Sequence, residues 1–146
     1  MRGSRVSAYG GDENGVGGPY STQSRRLLND LLTIQAVKTL LVFLNETNGE
    51  LHLFLHQYLV EHPLPGRDDE STAEQWLADL ACTPLTSVRD PRRSSVCGPA
   101  GEEAYLRGER EVSPRDIAER VLALRQDLAR DFIAELEKVP VNNEQI

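Results

Sequence analysis

The 146-residue chain carries 23 acidic and 16 basic side chains, a formal net charge of −7 and a 39% hydrophobic share. At this length one domain is expected, and the acidic balance argues against a general nucleic-acid binder, which would need a basic footprint. Two cysteines are too few for a disulfide framework or a four-cysteine zinc site, and the longest apolar-rich run, 31–44, is too short and, with Lys38, too polar to read as a membrane span.

Residues 1–23 hold Gly3, Gly10, Gly11, Gly15, Gly17, Gly18 and Pro19 with almost no large apolar residue. Such a stretch has too much backbone freedom to order itself and reads as a disordered leader. Its start, Met1-Arg2-Gly3-Ser4, resembles a vector-encoded tag. No signal-peptide core is visible, and the glycines lack the Gly-Lys-Ser/Thr ending of a phosphate loop. Residues 24–140 are expected to form the helical domain, and 141–146 a polar tail.

The first helix is expected from Ser24 to Asn45. Ten of its residues between Leu31 and Leu44 are apolar, spread over most of the circumference rather than along one stripe. Such a helix needs cover on two sides, the second most simply from another protomer. Thr47 and Glu50 have capping-box spacing for a second helix. There Leu51, Phe54, Leu55, Tyr58 and Leu59 share a face until Pro63 and Pro65. A third helix opens on a second such pair, Ser71 and Glu74, turns Trp76, Leu77 and Leu80 inward and stops at Pro84. Residues 84–112, rich in proline and glycine, read as a long insertion with at most one helical turn near Glu102–Leu106. The last helix has Ser113 as N-cap, Pro114 in the first turn and Asp116 at the positive end of the dipole. Ile117, Val121, Leu124, Leu128, Phe132 and Leu136 form its stripe, and Pro140 is expected to end it. No segment alternates as a strand, so the expected class is all-α.

Chemical motifs are sparse. His52 and His56 share a helix face with His62 nearby, but no obvious third ligand and no adjacent glutamate completes a zinc site, so a solvated polar face opposite Leu51, Leu55 and Leu59 is the favoured reading. Cys82 and Cys97 flank the start of the insertion. A bond between them would close a loop of roughly 15 residues and add about 3 kcal/mol; the alternative is two thiols, one half-buried on the third helix. No catalytic constellation or cofactor fingerprint stands out, so the residues point to a non-enzymatic helical protein that recognises another protein.

The run Leu32-Thr33-Ile34-Gln35-Ala36-Val37-Lys38, the turn Asn45-Glu46-Thr47-Asn48 and the stretch Arg120-Val121-Leu122-Ala123-Leu124-Arg125 together resemble the RbcX family of Rubisco assembly chaperones. The order of one long, two short and one long helix is similar too. The resemblance spans about half of the chain and leaves out the glycine leader and the insertion. It implies a four-helix protomer in an arc-shaped homodimer that uses no ATP or other cofactor. The central groove would hold the C-terminal segment of the Rubisco large subunit, and the edges would steady large-subunit dimers during assembly. Leu31, Thr33, Ile34, Gln35, Lys38, Val42 and Phe43 would then line the peptide groove. Glu46, Thr47, Asn48, Arg120 and Arg125 would contact the client at the edge. The family's two groove tyrosines fall on Leu31 and Ile34 and a groove glutamine on Phe43, which makes this groove more apolar. That divergence resembles the plastid-type subgroup and implies the chloroplast stroma. The alternative is a helical homodimeric adaptor that presents the same surface to a different client.

Overall fold

The structure, a computed structural model, describes residues 19–66, 69–89 and 110–146. The expectations for residues 1–18, for the turn near Glu102–Leu106 and for Cys97 lie outside the described residues. The elements run α1 (Pro19–Thr47), α2 (Gly49–Glu61), α3 (Ala73–Cys82), β1 (Thr86–Val88), β2 (Arg110–Val112), α4 (Pro114–Glu137) and α5 (Val139–Glu144). Helix accounts for 77% of what is described, so the class is all-α.

The long helix α1 organises the rest. Asp30, Thr33, Ala36, Val37, Leu40 and Leu44 recur at three- and four-residue steps and are buried along one stripe. Its threonines are polar but satisfied, because the Thr33, Thr39 and Thr47 hydroxyls each donate to the carbonyl four residues back at 2.8 Å. The helix starts at Pro19 rather than Ser24, so residues 19–23 belong to it and not to the leader. At 29 residues, with a mean hydropathy of 1.6 over its best window, α1 is by length and composition apolar enough to cross a membrane, contrary to the expectation from residues 31–44. Its stripe packed under α3 and α4 is what a core helix of a bundle also shows.

Chain reversal after α1 uses Asn48, not Thr47. Asn48 is extended (φ −151°, ψ 98°) and its carboxamide oxygen accepts from the Leu51 amide at 3.2 Å. Thr47 remains the last residue of α1. The same one-residue shift occurs at α3, where Thr72 rather than Ser71 caps and accepts from the Gln75 amide at 3.2 Å. A second cap comes from outside the helix: Asp30 Oδ1 accepts from the Ala73 amide at 2.9 Å. Arg26, one turn earlier on α1, donates to the carbonyls of Asp69, Glu70 and Ser71 at 2.7–3.2 Å. Trp76, Leu77 and Leu80 are buried as expected, and the Trp76 indole donates to the His62 carbonyl at 2.8 Å, tying α3 to the end of α2.

Residues 84–112 are not wholly irregular. Their ends pair as an antiparallel ribbon, Thr86 with Val112, Ser87 with Glu111 and Val88 with Arg110. Val88 and Val112 thereby join the core. Three residues per strand are too few for alternation to be visible in sequence. The start of α4 is as expected: Ser113 Oγ accepts from the Asp116 amide at 3.4 Å and Pro114 lies in the first turn. Its end is not. The helix stops at Glu137, and Pro140 opens α5, so the tail begins as a short helix.

α1 and α4 run antiparallel, since Arg125 of α4 meets Thr33 while the α4 start lies by Asn48. The core fills only one end of this pair. Ile117 and Val121 are buried and Leu124 and Leu128 half-buried, but Phe132 and Leu136, on the same stripe, are exposed.

Removing the Asp30 carboxylate leaves the buried Ala73 amide without its acceptor. Asp30→Ala should lower stability by about 1–3 kcal/mol, read as a drop in urea midpoint at unchanged m-value.

Candidate functional site

Three turns of α1, from Gln35 to Glu46, face away from the core opposite its buried stripe. Val42 is 68% and Phe43 58% exposed. With Gln35, Lys38, Thr39 and Glu46 they line a shallow groove of about 450 Å³. The groove is apolar at its centre and charged at both ends, because Lys38 and Glu46 lie eight residues apart on one face. Of the groove residues read from the sequence, Gln35, Lys38, Val42 and Phe43 come together here, and Glu46 joins them. Leu31 is exposed further toward the helix start, and Ile34 is half-buried.

Thr33 does not belong to this surface, and its assignment to the groove is corrected. It is fully buried in the inner stripe with Ala36, Val37 and Leu40, where its hydroxyl oxygen accepts from Arg125 Nη1 at 3.1 Å. Arg125 is corrected with it. Its side chain turns inward, bonding Thr33 and ion-pairing with Glu74 of α3, so it ties α1, α3 and α4 together rather than standing at an edge.

The remaining edge residues gather at the other end of α1. Asn48 and Arg120 both line a notch of about 340 Å³ between the α2 start, β2 and the first turns of α4. Arg120 is exposed, and among the described residues it makes no ion pair, not even with Asp116 four residues before it on the same helix. Asn48 spends its side-chain oxygen on the α2 cap, and Thr47 its hydroxyl proton on the Phe43 carbonyl. Sequence reasoning missed Glu50 in this notch. Its carboxylate is 3% exposed and lies 3.9 Å from Arg110 Nε. That ion pair spans sixty residues of sequence, so no local pattern announces it.

The other candidate groups separate. His52 and His56 share a face with ring centroids 6.1 Å apart, while His62 stacks on Tyr58 at 4.5 Å. Among the described residues no group of three His, Cys, Asp or Glu side chains converges as a metal site. Cys82 is an exposed thiol at the end of α3 rather than a half-buried one, and Cys97 lies outside the described residues.

Compared with models of known families, with curated proteins and with solved structures, the chain matches none.

The two arginines should therefore behave differently. Arg125→Ala strips a bond from the buried Thr33 and should cost about 1–3 kcal/mol of unfolding free energy. Arg120→Ala should stay within about 0.5 kcal/mol of the parent chain. Chemical denaturation of both variants side by side checks this.

Proposed function

We propose that this chain is an ATP-independent assembly chaperone of the RbcX type. It binds the C-terminal segment of the Rubisco large subunit and steadies large-subunit dimers in the chloroplast stroma. The observation that carries the reading is the exposed α1 face, on which Val42 and Phe43 stand between Lys38 and Glu46. An extended peptide gains affinity by burying apolar side chains on a preformed surface of this kind, and paired charges at its ends set register. The motif likeness in α1, in the turn after it and in α4 supplies the client.

The chaperone acts as a homodimer. The α4 stripe continues past the core as Phe132, Ile133 and Leu136, with Val139 and Val141 beyond it and Leu28 and Leu31 exposed on the antiparallel α1. A second copy would cover that apolar surface and give the doubly apolar α1 its second neighbour. Arg120, exposed at the far end of the protomer, supplies a guanidinium that binds a client carboxylate in bidentate fashion.

A second reading keeps the groove and changes the client. Phe43 makes the groove more apolar than the family pattern, which favours a peptide with fewer hydrogen-bonding groups. In that case the protein is a helical adaptor for another protein.

Fluorescence anisotropy separates the two, using a labelled peptide that copies the C-terminal segment of the Rubisco large subunit. Saturable binding by the intact dimer is expected, weakened about tenfold or more by Phe43→Ala. Arg120→Ala is expected to reduce large-subunit assembly in reconstitution while leaving peptide affinity unchanged. A dimer that binds neither this peptide nor the whole large subunit rules out the Rubisco reading.

A further inference from the structure

A third concave site lies between α2, the end of α3 and β1, and it shares no lining residue with the α1 groove or the Arg120 notch. Its volume is about 550 Å³, within the range of cavities that enclose a small ligand or one large side chain. One wall is an aromatic ladder on α2. Phe54, Tyr58 and His62 follow at four-residue steps, with ring centroids 6.0 and 4.5 Å apart and planes within 27° and 23° of parallel. Burial raises the Tyr58 hydroxyl above the ordinary tyrosine value; a hydrogen bond with Thr83 opposes this and the Asp79 carboxylate adds to it, so the group stays protonated and neutral.

The exposed part of the lining carries two carboxylates, Glu61 and Asp79, against one guanidinium, Arg89. Asp79 uses Oδ1 to accept from Gln75 at 2.9 Å, and among the described residues Glu61 has no ion pair or hydrogen-bond partner through its side chain. The basic lining residue Arg89 has a partner of its own. An anion entering here would meet two carboxylates. A wholly apolar group would strip water from them without compensation. A basic side chain satisfies both requirements, with its methylenes against the exposed His62 ring at the end of the ladder and its charge at the carboxylates.

We propose that this cavity receives an arginine side chain of a partner protein. Guanidinium is preferred over ammonium because it lies flat on aromatic rings and forks onto carboxylates. A side chain is preferred over free arginine because the free amino acid would bring its own carboxylate toward Glu61 and Asp79. This rests on a surface separate from the proposed Rubisco-binding groove, so each can fail alone.

Trp76 is the only tryptophan, and its ring meets the edge of Tyr58 with centroids 5.6 Å apart. Intrinsic fluorescence of the full chain therefore reports on the cavity wall. Titration with N-acetyl-arginine amide should give a saturable change. N-acetyl-citrulline amide, the neutral isostere, should bind at least about fivefold more weakly. Glu61→Gln and Asp79→Asn should each weaken the arginine amide and leave the citrulline amide unaffected, whereas Glu119→Gln on α4 should change neither. Glu61 is an exposed helix-end residue, so its variant carries the test if Asp79→Asn disturbs folding, which far-UV circular dichroism reads directly. Equal binding of citrulline and arginine amides, tighter binding of free arginine than of its amide, no saturable signal, or indifference to Glu61→Gln would each overturn the proposal.

Discussion

Thr33 holds the fold's most consequential polar bond. It sits near the start of the inner stripe of α1, fully buried, and its oxygen receives the guanidinium of Arg125, which also pairs with Glu74. One turn away Asp30 reaches the first amide of α3. Two polar groups on a single apolar stripe thus address two of the helices packed against it, α3 and α4. Apolar contact is tolerant of sliding, since ridges of leucine and alanine pack in several registers. Buried hydrogen bonds are not, because a shift of one residue leaves a desolvated donor or acceptor unpaired. Asp30 and Thr33 therefore set the registers of α3 and α4 against α1, while Leu40, Leu44, Val121 and their neighbours supply most of the burial.

Fixing the inner side of α1 in this way decides what its outer side can be. With register set from within, Gln35, Lys38, Val42, Phe43 and Glu46 are held in a constant array on a rigid helix rather than on a loop. A recognition surface built so loses little order on binding. The fixed antiparallel pairing also means that the α1 and α4 ends distant from the core, near Leu28 and Leu136, run together past the last covered residue. Leu136 remains 53% exposed there, and the same helix pair that makes a protomer core at one end leaves an unclosed one at the other.

Much of this is legible in the sequence, and the failures share a cause. The four main helices, the inward turn of Trp76, Leu77 and Leu80, and the Ser113–Pro114 start of α4 are local patterns, and they stand. The two caps each lie one residue from their expected place because Thr47 and Thr72 compete with adjacent side chains of similar chemistry. Only the backbone conformation shows which of them leaves the helix. Thr33, Arg125 and Glu50 escape notice as structural residues for a different reason. Their partners lie 92, 51 and 60 positions away, so neither periodicity nor spacing reveals them. The family likeness puts Thr33 and Arg125 on client-facing surfaces; burial places both on the inner network, and the matched motifs are in part motifs of the core. The groove face itself is readable, since a helix apolar on two sides must show one of them.

The small ribbon has an effect beyond adding two valines to the core. Val88 and Arg110 are paired across it, so these two positions stand about 5 Å apart. The closure entropy of the span between them rises only with the logarithm of its length, about 0.6 kcal/mol for each doubling. The pairing therefore fixes the separation of the span's two ends, and through Val112 the point at which α4 begins at Ser113, at an entropic cost that depends only weakly on how many residues lie between the strands.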